Sequence, residues 1–589
     1  MATSSSTQFT GLFGSAPAPI RDFLHSALQL RDLQDLYTRA RGTSHATLSR
    51  AVLDVLNIRV QLPPHHLQRF PLTGAVVVVA NHPFGLLDGL VLDAVLHELR
   101  QDVKILTNAF LWGMEELRDR CLPVDVFGGP DGASTNMRSA RQAFQLLSKG
   151  HCIAMFPAGE VAHWHTGKGS ITDPSWNESA ARFAMRTGAS VVPIYFGGAN
   201  SLAFQIAGLL HPRLRTARLA GELLNKRGSQ VEVRIGTAIA ATELAKQGSL
   251  DCATQYLRAR TYVLSHHQTI RPNRRVTPEP TVPRRTVVVP FETLESSAEI
   301  SRLKREDRVV IENEWYVVFR ERGSAIPKLM REIGRAREIT FRAAGEGTGK
   351  DLDLDAFDDH YTHLVLWHKA SGRVAGSYRL AWTQDVLPTS GVRGLYTSTL
   401  FRFAPAFFRA LGPAVELGRS FISPEFQKDY APLLLLWQAI GRSVAARPDA
   451  PVLFGPVSIS ADYSDASRQL IVEFLRKRRF RADLAHWVSP RRPFRSRLMR
   501  ATELRAVAAC LGEVEDLSAR INDIDEHSGV PVLLRQYLRL GGRVAAFHVD
   551  RNFSDTLDGL LIVDLRETPE KMLAKYVGPV KFRVAATIP

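Results

Sequence analysis

Four consecutive valines, Val76 to Val79, run into Ala80-Asn81-His82-Pro83-Phe84-Gly85 and constrain this chain more than any other stretch. An apolar run without alternation suits a strand packed on both faces, as in a mostly parallel sheet covered by helices. Pro83 and Gly85 end that strand. The apolar periodicity from Leu86 to Leu99 reads as a helix. His82 is therefore expected at the carboxyl end of a sheet strand, where open α/β sheets place their ligands. Asp88, in the first turn of the helix, can reach back to one ring nitrogen. Such a bond fixes the tautomer and leaves the other nitrogen as a base. With no Ser or Cys nucleophile nearby, the base would deprotonate a substrate hydroxyl. The same spacing also suits a capping Asp and an unrelated loop His.

Two more strand-to-loop transitions follow. His151-Cys152-Ile153-Ala154-Met155-Phe156 ends in Pro157-Ala158-Gly159-Glu160, and Ser190-Val191-Val192-Pro193-Ile194-Tyr195-Phe196 ends in Gly197-Gly198-Ala199-Asn200-Ser201. Across residues 20 to 240 the three together resemble the glycerolipid acyltransferase family, with its N-H-x4-D, F-P-E-G and V-P-[IV] blocks. The resemblance implies that His82 is the general base and Asp88 its orienting partner. It also implies substrate contacts at Asn81, Gly159 and Glu160, and a thioester donor attacked directly by an acceptor hydroxyl. The departures are informative. Five residues, not four, separate His82 from Asp88. Ala158 stands where the family carries Glu, and an acid appears at Glu160 instead. Val161-Ala162-His163-Trp164 replaces the Arg that often follows. A phosphate needs cationic or backbone N–H donors, so this exchange argues against a phosphorylated acceptor. The block forms look like a branch of the family that acylates lyso-aminolipids.

At 589 residues the chain is too long for one core and implies two large domains. No apolar run approaches the roughly 20 residues that span a bilayer. Met1 to Pro19 lacks the basic and apolar regions of a secretory signal. Cys121, Cys152, Cys252 and Cys510 form no zinc spacing and fit a reducing cytoplasm. A net charge of +16 calls for an acidic partner or surface. No zinc-finger, RRM-like or basic-zipper pattern points to nucleic acid. An anionic membrane surface and an acidic acyl carrier protein fit the motifs better. Two segments suit the membrane: an amphipathic helix from Ile20 to about Arg41, and Leu202 to Arg227. The second alternates apolar clusters with Arg213, Arg215, Arg218, Lys226 and Arg227. An ordinary surface helix packed on the core would show the same pattern.

Arg271 to Arg285 carries four prolines without amphipathic period and reads as an extended linker. Beyond it a helix is expected over Pro327 to Phe341, then an acidic Gly-rich loop from Gly345 to Asp355. His363–Trp367 and Val374–Leu380 read as an antiparallel pair. Ala414 to Ile422 is a strand carrying Glu416-Leu417-Gly418-Arg419, followed by a helix over Ala431 to Ala445 and a strand over Leu453 to Ser460. This order, across residues 290 to 565, resembles the acyl-carrier-protein-dependent branch of the GNAT family that includes autoinducer synthases and amino-acid N-acyltransferases. The resemblance rests on Arg337/Phe341, Asp355/Asp358, Arg379 and Glu416/Arg419.

N-acylation needs an amine held by carboxylates, deprotonated and aimed at a thioester carbonyl. Asp358, Asp359 and Glu416 can hold an ammonium, and Glu416 can accept its proton. Arg419 or Arg379 can take an amino-acid carboxylate in a bidentate fork. Strand alternation puts Glu416 and Arg419 on opposite faces. The tract Arg476-Lys477-Arg478-Arg479-Phe480-Arg481, with Arg491, Arg492, Arg495, Arg497 and Arg500, is the densest positive region and could meet carrier protein or lipid headgroups.

The expected fold class is α/β throughout. A glycerolipid-acyltransferase-like domain occupies 1–270, a linker 271–289, and a GNAT-like mixed α/β domain 290–589. Together the halves resemble the bifunctional ornithine-lipid synthases. The resemblance implies that the C-terminal domain attaches a 3-hydroxyacyl chain to the α-amino group of ornithine, and the N-terminal domain then esterifies the new hydroxyl. Acyl carrier protein would deliver both chains. No cofactor or metal is implied, and the enzyme would sit peripherally on the inner face of the cytoplasmic membrane. Glycine or lysine lipids, a lysophosphatidic acid acyltransferase with an accessory GNAT-like domain, and a non-enzymatic membrane-binding protein are the alternatives.

Overall fold

The three apolar runs ending near Ala80, Phe156 and Phe196 become strands of one sheet. The computed structural model describes residues 30–45, 47–108, 115–125, 132–165, 170–210, 215, 218–266, 293–495, 501–525 and 529–578. The Pro/Arg linker, the first nineteen residues and the start of the helix expected at Ile20 lie outside them. The chain divides into two units, Met1–His267 and Gln268–Pro589.

The first unit contains β1 (Arg59–Gln61), β2 (Val76–Ala80), β3 (Val103–Asn108), β4 (Cys121–Val124), β5 (Cys152–Met155), the small strands β6 (His163–His165) and β7 (Ser170–Thr172), β8 (Ser190–Gly197) and β9 (Gln230–Ile235). Seven of them form a sheet in the order β1-β9-β8-β2-β5-β3-β4. β2 pairs in parallel with both β5 and β8 and is buried along its whole length, which explains why its sequence does not alternate. The chain leaves β2 on one side and returns through β8 on the other. The loops after β2, β5 and β8 therefore meet at the carboxyl edge beside β2. The helix Leu86–Leu99 follows β2 as expected.

The stretch Leu202 to Arg227 is not one helix. It contains separate helices at Leu202–Leu210 and Leu219–Asn225. Arg215 between them is buried, not part of a solvent-facing basic stripe. The first helix leaves Leu202, Ile206 and Leu209 exposed. Among the described residues no helix is long and apolar enough to cross a membrane.

The second unit is built on β10 (Val309–Glu312), β11 (Tyr316–Arg322), β12 (Thr362–His368), β13 (Arg373–Trp382), β14 (Phe401–Phe403), β15 (Ala414–Ile422), β16 (Val452–Ile459), β17 (Val488–Pro490), β18 (Arg543–Asp550) and β19 (Thr556–Asp564). Eight of these form a sheet in the order β10-β11-β12-β13-β15-β16-β19-β18. All its pairings are antiparallel except β15 with β16, which the helix Ala431–Ala445 connects. The helix Pro327–Ala343 buries Leu329, Ile333 and Ala336 against Val317, Phe319 and Val365 of the sheet. The basic tract is partly structural. Arg478 donates to the carbonyls of Ala509 and Leu511, Arg481 pairs with Asp483, and Arg491 donates to the Ser398 carbonyl.

Candidate functional site

In the first unit the loop after β2 is fixed from both sides. The Asn81 side chain donates to the Phe196 carbonyl at 2.9 Å and accepts the Phe196 N–H at 2.7 Å, tying the ends of β2 and β8 together. His82 Nδ1 lies 2.9 Å from Asp88 Oδ2. That oxygen also accepts the N–H groups of Phe84 and Gly85 at 2.8 and 2.9 Å. Asp88 thus both caps its helix and orients His82, so the two readings of the spacing are one arrangement. Asp88 is fully buried, whereas the His82 side chain keeps 17% exposure. Its ring stacks on Phe156 from the loop after β5, with centroids 4.1 Å apart. With Nδ1 committed to Asp88, Nε2 is the nitrogen available to a substrate hydroxyl.

Asp173, which no sequence pattern singles out, completes the setting. Its carboxylate accepts the His82 N–H at 3.1 Å and the Trp176 indole N–H at 2.9 Å. Burial pushes it above the usual carboxylate range. Glu160 is mostly exposed and pairs with the buried Arg215 at 2.7 Å. Arg215, from the chain after β8, thus has its charge met by Glu160. Gly159 adopts φ 68° with open space where a Cβ would lie. Gly198, at φ 123°, is different. A Cβ there would come within 2.5 Å of the Phe84 ring. Gly198→Ala should displace Phe84 and the loop carrying His82, at a cost on the order of 1–3 kcal/mol for the strained backbone alone. O-acyl transfer should fall more than overall stability does; activity and melting measured on the same preparation check this.

In the second unit the sequence-predicted residues converge. The Arg337 guanidinium donates to both Asp358 oxygens at 3.2 and 2.9 Å and lies 3.0 Å from Asp353. Arg379 bridges Asp355 and Asp358 at 2.7 and 3.0 Å. Arg419 lies 3.6 Å from Asp353 and 3.8 Å from Asp355. Phe341 packs edge-on against Phe553, whose ring lies 5.0 Å from the Arg419 guanidinium. Aromatic faces cover the cations: Tyr361 and Tyr396 lie 5.1 and 4.8 Å from Arg379. Asp353, Tyr361, His363 and Tyr396 were not legible as site residues. His363 is fully buried beside Asp358, and burial lowers its imidazole to about 4, keeping it neutral.

Two expectations are corrected. Asp358 cannot meet an ammonium freely, because Arg337 and Arg379 already occupy it, and Asp359 is exposed outside the cluster. Nor do Glu416 and Arg419 face opposite sides. The register between β13 and β15 shifts near Arg379, with an extra residue in β15, and Arg419 takes φ 48°. A bulge of this kind resets alternation. Tyr396 consequently touches both: its N–H donates to Glu416 at 3.1 Å and its ring lies 5.1 Å from Arg419. Glu416 also accepts the Thr397 N–H at 2.7 Å and the Tyr361 hydroxyl.

Residues 56–269 match the family described as Acyltransferase. A lyso-glycine lipid O-acyltransferase of Phocaeicola vulgatus is 30% identical over 196 residues, covering 32% of this chain and 67% of that protein. The chain belongs to this acyltransferase family. Residues 336–438 match the family described as Acetyltransferase (GNAT) domain, so the acyltransferase unit is fused to a GNAT domain. A glycine N(alpha)-acyltransferase of Bacteroides thetaiotaomicron is 36% identical over 176 residues, 28% of this chain and 51% of that protein. An L-ornithine N(alpha)-acyltransferase of Rhodobacter capsulatus is 29% identical over 242 residues, 39% of this chain and 82% of that protein. The chain spans about half the length of the glycine N-acyltransferases it matches.

Proposed function

We propose that this chain carries out both acylations of an aminolipid. The GNAT unit would transfer a 3-hydroxyacyl group from acyl carrier protein to the α-amino group of an amino acid. The acyltransferase unit would then esterify the 3-hydroxyl of the lyso-lipid. The reading is carried by one observation: a His–Asp pair suited to activating a hydroxyl and an Arg/Asp/Glu cluster suited to an amino acid occur in successive units of one chain. His82 Nε2 takes the hydroxyl proton as the oxygen attacks the thioester carbonyl, and Asp88 stabilises the imidazolium that forms. The C–S bond then breaks and the thiolate is protonated. Neutralisation of Arg215 by Glu160 supports an acceptor without phosphate. In the GNAT unit Arg419 would receive the amino-acid carboxylate, and Glu416 would hold the Tyr396–Thr397 turn against the site.

Ornithine is the amino acid we favour, and the similarity to glycine N-acyltransferases makes glycine the second reading. Expression of the chain in a bacterium lacking aminolipids, followed by lipid extraction and mass spectrometry, tests both. A diacylated ornithine or glycine lipid identifies the headgroup. Acylated lysophosphatidic acid without any aminolipid would defeat the reading.

Access to a bilayer-resident lyso-lipid would come from the surface of the first unit. Leu202, Ile206, Leu209 and Trp164 are exposed there, and the chain carries +16. Sedimentation with anionic vesicles at low salt is expected, with release as the Debye length falls to about 3 Å at 1 M. Replacing Leu202, Ile206 and Leu209 together by Ser should weaken retention at every salt concentration. Equal retention by purely zwitterionic vesicles would contradict the electrostatic part.

A further inference from the structure

The sheet of the second unit opens between β15 and β16. The two strands pair only from Ala414 with Val452 to Glu416 with Phe454. Beyond that point each continues against its other neighbour, to Ile422 and Ile459. One lip of the opening is Arg419 on its bulge. Its guanidinium stands against the rings of Tyr396 and Phe553, and its Nε has no hydrogen-bond partner among the described residues. The other lip is formed by Ser458 of β16 and its cross-strand neighbour Asp558 of β19. The Ser458 hydroxyl donates to Asp558 at 2.7 Å. Asp558 is 3% exposed and makes no ion pair among the described residues. Thr556, on the same face of β19, is fully buried, and its hydroxyl has no partner among the described residues.

A buried carboxyl without an ion pair, a buried hydroxyl without a partner and a buried guanidinium nitrogen without one are each costly. A zwitterion bound across the opening would bring an ammonium to Asp558 and a carboxylate to Arg419. The other acids expected to serve an amine are spoken for. Asp355 and Asp358 are held by Arg337 and Arg379, and Glu416 by two backbone N–H groups and Tyr361.

We propose that Asp558 receives the amino group of the amino-acid substrate at the opening between β15 and β16, opposite Arg419 and its bound carboxylate, and takes the proton that the ammonium must lose. The inference rests on the N-acyl transfer reading of this unit. One proton passes from the ammonium to Asp558. The freed lone pair forms the C–N bond at the thioester carbonyl, the C–S bond breaks, and the leaving thiolate takes the second N–H proton. Asp558 then returns its proton to solvent.

The charged and titratable groups around Asp558 fit the task. Arg419 of β15 attracts its negative charge; Asp550 of β18 and Glu346, after the helix Pro327–Ala343, repel it. His548 faces it across β18 and β19, and Tyr396 lies within its field. Burial, reinforced by the two acids, pushes the Asp558 carboxyl up to about 8. A base that titrates close to the group it deprotonates transfers the proton efficiently.

The test uses the full chain, with a 3-hydroxyacyl-acyl carrier protein and either ornithine or glycine. Asp558→Asn should lower kcat for N-acylation by about 10²–10⁴-fold, while supplied lyso-lipid is still O-acylated. Should that variant not fold, Ser458→Ala is read instead. Losing the donated hydrogen bond should move the acid limb of the kcat/KM profile to higher pH, whereas a limb belonging to the substrate ammonium would not move. A rate within twofold of wild type in Asp558→Asn, or an unmoved limb in Ser458→Ala, overturns the proposal. Wild type forming no N-acyl product with either amino acid would instead overturn the N-acyl transfer reading, and this inference with it.

Discussion

Cells expressing His82→Ala should accumulate the monoacylated lyso-lipid and lose the diacylated product. The effect should be confined to the second acylation, because His82 belongs to the first unit and the amine chemistry is assigned to the other. Loss of a general base typically costs about 10²–10⁴ in rate. Asp88→Asn should cost less than His82→Ala, since it leaves the imidazole in place but weakens its orientation and the cap on Phe84 and Gly85. Quantifying both lipids from the same extract separates the steps. Disappearance of both lipids from a folded His82→Ala chain would mean that the two acylations are not divided between the units as proposed.

Replacing Arg379 by Met should be the most destabilising single change in the second unit. Its side chain is fully buried and bridges the buried Asp358 and the partly buried Asp355. Removing one partner of such a cluster leaves uncompensated buried charge, which costs roughly 3–5 kcal/mol. Denaturant unfolding followed by a signal specific to the second unit reads the loss. The pH dependence has a definite sign. Burial alone would raise Asp355 and Asp358, but the charge of Arg379 on both, with Arg337 on Asp358 and Arg419 on Asp355, outweighs it and holds both below the usual carboxylate range. Depressed carboxyls contribute stability above the unfolded value of about 3.9, and that contribution is lost as pH falls through the lower folded value. The wild-type second unit should therefore hold against acid to below about pH 4. Arg379→Met should unfold at a higher pH, because the carboxyls regain ordinary or raised values. An unchanged acid midpoint would mean that the cluster contributes nothing to the fold.

The sequence by itself determined the strand runs and the loops and helices that succeed them. Val76 to Val79 suits a doubly buried strand, because neither face carries a polar residue and β-branched side chains favour extended backbone. Pro83, Gly85 and the apolar periodicity after them placed His82 and Asp88 on a loop and a first helical turn, close enough to bond. The pattern of Arg, Asp and Glu in the second half was legible because its residues sit at fixed places in recognisable elements. The tertiary structure decided what sequence distance conceals. Asp173 reaches His82 from 91 residues away, and Arg215 reaches Glu160 from 55. No local period carries such contacts. The apparent basic stripe from Leu202 to Arg227 does not hold, because Arg215 is buried and paired with Glu160 and so does not face solvent. Alternation failed at Arg419 because one extra residue in β15 turns every later side chain to the other face. In the sequence Asp558 lies just before the apolar run Leu560 to Val563, and nothing singles it out. Its setting depends on β15 and β16 parting and on β19 supplying a carboxyl to that opening, a matter of sheet order that local sequence does not encode.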